Sequence, residues 1–375
     1  MQVSHEGEAI LRFRSGLFAF AVLALAGCGT ASSGYDESLR YPPRADVVVI
    51  RPPYAEPTEL HPPGRRDEFL RTYSSEIGGK IVDPAAVDVE VLAVLTAALE
   101  ETFGTPATPK LVSDFTNGEQ LAAGSKLYRS QCAHCHGLTG EGRGPTGLFL
   151  EPPPRDFRNG VFKSGAGTPR PSGAALQRVI RHGVPGTQMQ PYDLLSDQEV
   201  TGLLTYVVHL SIRGECETKA LTAAFDPEEG LLPIEVAALV QRTATASLEA
   251  WRAGWKQELP GVELPTDAEA VRRGYALTTM VGCTSCHGAN LQGGAFRYDV
   301  WGNVTRVPDL TKADWKWGRE PGDLHARIRH GIAAVNMPAN PGISERQVLD
   351  LTSFLSVIGR PDLLPDDVRK EIHKP

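Results

Sequence analysis

Apolar positions in this chain recur mostly at helical spacing, and the clearest stripe occurs twice. Val200, Leu203, Leu204 and Val207 fall on one helical face, as do Val348, Leu351 and Leu355. Each stripe opens behind a serine, Ser196 or Ser344, with Glu199 or Gln347 three positions later, the pattern of a capping box. Two further helices are predicted upstream of these, at about 118–130 and 267–280. Asp83-Pro84 is a good N-cap and first-turn pair for a helix that ends near Gly104. Another helix is predicted over 232–259, where Trp251 and Trp255 stand one turn apart and are read as packing between domains. Strand signal is scarce apart from "DVVVI" at 46–50. Residues 41–63 carry three Pro-Pro pairs and read as an extended spacer. Near the start, Arg12 and Arg14 precede an apolar run, Leu17 to Leu25, that is too short to span a bilayer.

The pattern is duplicated. "LQRVIRHGVPGTQMQPYDLLSDQEVTGLLTYVV", beginning at Leu176, matches "LHARIRHGIAAVNMPANPGISERQVLDLTSFLS", beginning at Leu324, at a constant offset. Arg181-His182-Gly183 falls on Arg329-His330-Gly331, Met189 on Met337, and Tyr206 on Phe354. Ahead of each repeat lies a second shared element, "QCAHCHG" from Gln131 and "GCTSCHG" from Gly282. Each copy therefore reads as helix, Cys-x-x-Cys-His, long Gly/Pro loop, short helix, Met loop and final helix.

Bulk properties narrow the possibilities. A chain of 375 residues accommodates two or three domains, and 41% hydrophobic content permits sizeable cores. Its 29 Pro and 38 Gly predict much loop. The formal charge of −7 argues against the basic face that nucleic acid requires and accommodates cationic partners more easily. After the apolar run comes "LAGC", ending at Cys28. It resembles the bacterial lipobox, which implies that Cys28 is diacylated and becomes the first residue, with "GTASSG" as a tether. Lipid chains would hold the protein to the periplasmic side of a membrane, inner or outer, without a transmembrane helix. The plain alternative is an ordinary signal peptide with a chance cysteine.

Three chemistries begin with two cysteines two residues apart. A structural zinc site needs four ligands; each motif offers two thiols and one imidazole, and Cys216 is the only other mature cysteine apart from Cys28. A thioredoxin-like dithiol needs a parallel-sheet context that this helical pattern lacks. Cys-x-x-Cys-His is the attachment signature of c-type haem. Cys132 and Cys135, and Cys283 and Cys286, would form thioethers to two haems, with His136 and His287 aimed at the irons. For the sixth ligand the chain has four methionines, Met1, Met189, Met280 and Met337. Met189 and Met337 occupy equivalent loops, roughly fifty residues after their histidines, far enough to wrap to the other haem face. His182 and His330 compete, but as last-turn residues before glycine they read more simply as helix C-terminal cations. Cys216 is read as a buried free thiol.

On these residues both copies resemble class I cytochrome c domains, over about half of the chain. Met337-Pro338 matches the family's Met-Pro pair, whereas Gln190 separates Met189 from Pro191. The resemblance implies an all-α fold in which the first helix of each copy crosses the last, bringing Tyr128 to the Tyr206 helix and Tyr275 to the Phe354 helix. Backbone near Gly144-Pro145 and Gly293-Gly294 is expected to accept the proximal imidazole N–H. Arg155, Arg178 and Arg181 are candidates for the haem propionates or for a solvated surface. Trp301, Trp315 and Trp317 are candidates to cover the second haem or to fill core. The expected organisation is a signal peptide (1–27), a tether and Pro-rich extension (28–82) and an N-terminal helical segment (83–117). Cytochrome c domain 1 (118–212), a helical inter-domain segment (213–266), domain 2 (267–362) and a tail (363–375) follow. The implied function is carriage of single electrons in an extracytoplasmic respiratory chain. Its redox partners would be a quinol-oxidising complex or dehydrogenase and a terminal oxidase. A dihaem peroxidase is the enzymatic alternative and needs one iron with an open position. A third reading is the electron-accepting part of a dehydrogenase assembly, with 29–117 and 213–266 as docking surfaces.

Overall fold

Side-chain caps set where the principal helices begin. The computed structural model describes residues 38–373, apart from 55, 58–62, 113–116, 164–169, 227, 229, 258–260, 313–314 and 317. Cys28 and the apolar run before it lie outside the described residues. In chain order, β1 (Val48–Arg51), α1 (Arg66–Tyr73), β2 (Lys80–Val82) and α2 (Val89–Phe103) precede the first copy. That copy comprises α3 (Gly118–Gln131), α4 (Ala133–His136), α5 (Gly173–His182) and α6 (Asp197–Ala224). After α7 (Pro233–Trp255) the second copy follows with α8 (Ala268–Met280), α9 (Cys283–His287), β3 (Phe296–Tyr298) and β4 (Val304–Arg306). It is completed by α10 (Pro321–His330) and α11 (Glu345–Val357), and α12 (Asp366–Ile372) closes the chain. Strands form two antiparallel pairs, β1 with β2 and β3 with β4, so the fold is mostly helical, as expected. Among the described residues no helix is long and apolar enough to cross a membrane.

Both serine boxes close: Ser196 and Ser344 accept from the amides of Glu199 and Gln347, whose side chains return to the serine amides. Asn117 and Asp267 cap α3 and α8 in the same way, accepting from the third amide. In each copy the first helix then crosses the last at a glycine. A Cβ on Gly124 would lie 1.9 Å from the Gly202 carbonyl oxygen, and one on Gly274 would lie 2.0 Å from that of Asp350. Only a glycine admits backbones this close. The ring pairs expected at these crossings are present, Tyr128 with Tyr206 at 5.2 Å and Tyr275 with Phe354 at 5.6 Å.

Several boundaries differ from the expectation. Asp83 caps a short 3-10 turn, and the true N-cap of α2 is Asp88, whose carboxylate accepts from the amides of Glu90 and Val91. The end assigned to domain 1 at 212 falls inside α6, which runs on to Ala224. Ile212, Cys216, Ala220 and Leu221 continue its apolar face and are buried in one core with Val236 and Val240 of α7. Helix α7 itself stops at Trp255, short of the predicted 259.

The largest correction concerns the described part of 41–63, which packs against the first copy where a spacer was expected. Tyr41 is buried with its hydroxyl 2.8 Å from that of Tyr206, and Val48 and Val82 enter the core of the first copy. Asp46 takes a bidentate bond from the buried Arg158 (2.7 Å to each oxygen), which also bonds Asp156. Arg44 reaches Thr218 on the extension of α6. The N-terminal segments, the first copy and α7 thus share one hydrophobic cluster, and the second copy with α12 forms another. Buried ion pairs of this kind cost much of their attraction in desolvation; their directional bonds fix where the extension sits.

Candidate functional site

Each Cys-x-x-Cys-His occupies one helical turn beside the crossing. Helix α3 runs almost directly into α4, whereas Val281 and left-handed Gly282 (φ +88°) separate α8 from α9. Gly137 and Gly288 end both turns at positive φ. The Gly142 and Gly293 amides then donate to the His136 and His287 carbonyls, both at 2.8 Å, which folds the following loop under the histidine.

Both proximal imidazoles are held by backbone, but not where the sequence placed it. His136 Nδ1–H donates to the Arg155 carbonyl at 3.1 Å and His287 Nδ1–H to the Pro308 carbonyl at 3.2 Å. The glycines at 144 and 293–294 instead shape the loop: the Gly144 amide bonds the Cys135 carbonyl and the Gly294 amide that of Val307. In both copies the accepting residue precedes an aspartate, Asp156 or Asp309, that accepts from the amide two residues on. "RDF" and "PDL" are therefore equivalent, a signal visible in the sequence only after allowing a two-residue insertion. With Nδ1 committed as donor, Nε2 is left with its lone pair for a metal. Burial takes His136 down to about 4 and lowers His287 as well, so both are neutral at physiological pH, the form a metal ligand needs. Phe157 stacks on His136 at 4.7 Å, and Phe162 and the buried Trp251 continue the aromatic packing behind it. Trp251 thus packs α7 onto the first copy, and Trp255 lies against Gly173.

The Met loops are built alike. Gly183 and Gly331 end α5 and α10 at φ +67° and +70°, and a Cβ on either would lie 2.4 Å from the carbonyl oxygen of Met189 or Met337. The next amides, Val184 and Ile332, donate to those same carbonyls at 2.9 and 3.0 Å. Thr187 Oγ1 holds the Met189 amide in the first loop, whereas Ile332 holds that of Met337 in the second. Arg181 and Arg329 are clamps for these loops: they donate to the Leu195 and Ile343 carbonyls and pair with Asp197 and Glu345. Arg181 is thus engaged with its own loop. Arg178 is also engaged, reaching Asp323 of the second copy at 3.0 Å. His182 and His330 are exposed.

A cavity of about 1550 Å³ is lined by all four motif cysteines, His136, His287, Met189 and Met337. Leu203, Leu204 and Val207 of the first copy and Leu351 and Leu355 of the second contribute apolar wall. Pockets for one drug-sized ligand are about 300–1,000 Å³; this one is large enough for two flat macrocycles. Trp315 lines it, Trp301 is buried beneath Arg155 of the first copy, and Trp317 lies outside the described residues. Lys163 and Lys316 line it too, and no pattern in the sequence had marked them.

The donor set decides among the three chemistries. Among the described residues no three His, Cys, Asp or Glu side chains gather as a zinc site requires. A redox dithiol needs a depressed thiol pKa, and here burial pushes Cys132 up to about 12 and raises Cys135 and Cys283. Paired thiols beside a neutral, backbone-oriented imidazole, facing an apolar cavity that also holds a thioether, fit a covalently attached haem. Cys216 stands apart, fully buried, with its thiol donating to the Val240 carbonyl at 3.5 Å and pushed up to about 12 by burial.

One family model matches both copies. Residues 119–207 and 269–355, together a little under half of the chain, match the family described as "Cytochrome C oxidase, cbb3-type, subunit III". Among solved structures, a chain of the reducing HAO-like protein complex of Kuenenia stuttgartiensis is similar at 21% identity and a TM-score of 0.47, over 65% of this chain and 96% of that one.

Proposed function

Given that this chain is a c-type cytochrome of two cytochrome c domains with two covalently bound haems c, we propose that it shuttles single electrons in an extracytoplasmic respiratory chain. Its donor would be a quinol-oxidising complex or a dehydrogenase, and its acceptor a terminal oxidase. Acylated Cys28 would hold it to the periplasmic side of a membrane.

Haem c supplies a one-electron iron couple, which Met/His ligation holds at high potential. Cys132 and Cys135 would anchor the first haem and Cys283 and Cys286 the second. His136 and His287 would present Nε2 to the irons, oriented by the Arg155 and Pro308 carbonyls. Met189 and Met337, which line the same cavity, would supply a thioether to each iron. The apolar lining excludes water and so limits the reorganisation that accompanies a change of charge. None of these residues moves a proton, which suits a carrier better than a catalyst.

The observation that carries this reading is the likeness of the Met loops. Each fixes its Met backbone against a left-handed glycine and brings the side chain to the cavity that its histidine lines. A peroxidase needs one iron free of such a ligand, and no feature of either loop favours that. The test is the electronic spectrum of the ferric protein. Both haems should be low-spin with a methionine–iron band, and Met337→Ala or Met189→Ala should abolish half of that band and lower one potential. A high-spin or bis-histidine haem in the parent protein, or rapid peroxide turnover, would overturn the carrier assignment.

A further inference from the structure

The cavity carries charge opposite to that of the chain. Seven of its lining side chains are Lys or Arg and two are acidic, Glu151 and Asp309, in a protein of formal charge −7. Asp309 is turned into its own loop, accepting from the amide and hydroxyl of Thr311 at 2.9 and 2.6 Å.

Three of the cations gather where the two copies meet. The Arg155 guanidinium of the first copy lies over the Trp301 ring of the second at 3.9 Å. Lys163 of the first copy reaches Asp299 of the second at 3.6 Å. Asp299 meets Lys163 with its Oδ2, while its Oδ1 takes the amides of Trp301 and Asn303 and the Asn303 side chain. Lys316 of the second copy lines the same cavity, as does Glu151. Among the described residues no carboxylate makes an ion pair with Arg155. Clustered cations in a half-buried cleft are costly unless an anion joins them.

We infer that Arg155, Lys163 and Lys316 form one carboxylate-binding site shared by the two copies, filled by haem propionates, so that a single cluster of protein charge sets the potentials of both irons. The inference rests on the dihaem reading above. A cation near an iron favours the reduced state, and its removal favours the ferric one.

The test is spectropotentiometric titration of the full-length holoprotein and of Arg155→Met, Lys163→Met and Lys316→Met. Covalent haem content and far-UV circular dichroism report whether each variant is folded. Both couples should shift toward the oxidised form in each variant, the reduced-to-oxidised ratio at fixed potential falling at least threefold. Arg155→Lys should restore most of the shift, and Lys219→Met on the outer face of α6 should move neither couple. Lys316 is exposed, so its variant keeps the test open if the other two fail to fold. A shift confined to one couple, or no shift, overturns the shared site. A free anion in place of the propionates would make the parent's potentials depend on acetate at constant ionic strength; such dependence also overturns it. A high-spin haem in the parent would sink the carrier reading while leaving these shifts measurable, so the two failures are distinguishable.

Discussion

Gly124→Ala should damage this protein, although Gly118→Ala in the same helix should not. At 124 the new methyl would lie 1.9 Å from the Gly202 carbonyl oxygen and 2.3 Å from its carbon. Carbon and carbonyl oxygen normally approach to about 3.3–3.6 Å, so α3 and α6 would have to part by more than about 1 Å. Overpacking costs about 1–3 kcal/mol when side chains can adjust. Here the obstacle is backbone, which puts the cost at the top of that range. Better helix propensity returns about 1 kcal/mol, leaving a net loss of about 2 kcal/mol from a total of roughly 5–15. At Gly118 nothing lies within 4 Å of the added carbon, so only the propensity gain remains and the protein should hold or gain slightly. Gly202→Ala should fall between, its methyl meeting the Gln120 carbonyl at 3.1 Å. Urea unfolding of the holoproteins, followed by far-UV circular dichroism, measures all three. Equal midpoints for Gly124→Ala and Gly118→Ala would show that the crossing is not the tight contact described here.

Three other outcomes follow from the same geometry. His209 is buried with both ring nitrogens unpartnered, and burial, aided by Arg213, takes it down to about 3. An unfolded histidine protonates near 6.5, so the unfolded state binds more protons between about 6.5 and 3; stability is full above that window and falls with pH inside it by up to about 1.4 kcal/mol per unit. His209→Phe should flatten this acid limb in urea titrations at several pH values, and an unchanged limb would rule His209 out as its source. Cys216 should resist thiol reagents in the native protein and titrate as one free cysteine per chain after unfolding; a count of zero contradicts this. Intact mass should find the mature N-terminus at acylated Cys28, with Cys28→Ser releasing the protein from membranes, whereas a soluble mature form beginning elsewhere rejects the lipobox reading.

What was legible in the sequence is what local chemistry dictates. Adjacent motif residues lie on a single turn whatever surrounds them, so Cys132, Cys135 and His136, with their second-copy equivalents, were readable directly. The capping boxes at Ser196 and Ser344 are equally local. Duplication extended the reach further, because Met189 and Met337 identify each other without any contact being known. Hidden features depend on partners distant in sequence. The carbonyl that orients His136 belongs to Arg155, and any backbone group in the loop was an equal candidate. That Arg181 clamps the Met loop depends on Leu195 and Asp197, which lie a full loop further along the chain. The proline pairs suggested extended backbone, which Val48–Arg51 adopts, but extended backbone can be buried as readily as it can span, and Arg158 lies more than a hundred residues away from Asp46.

That misjudged segment alters how the duplicated halves relate. On one side Asp46 bonds Arg158, which grips Asp156, the residue next to the carbonyl that orients His136. On another, Phe69 of α1 stacks on Tyr298 at 6.5 Å, and the Tyr298 carbonyl accepts from the side chain of Asn336, the neighbour of Met337. Leu70 and Val49 also crowd Gly302 in the hairpin turn of the second copy. One strap therefore braces the histidine side of the first site and the methionine side of the second. Two copies joined only by a linker would be free to rotate and would hold no fixed spacing between their cavities. With the strap seated on both, the distance between the sites becomes a property of the folded chain, which is what electron transfer from one to the other requires.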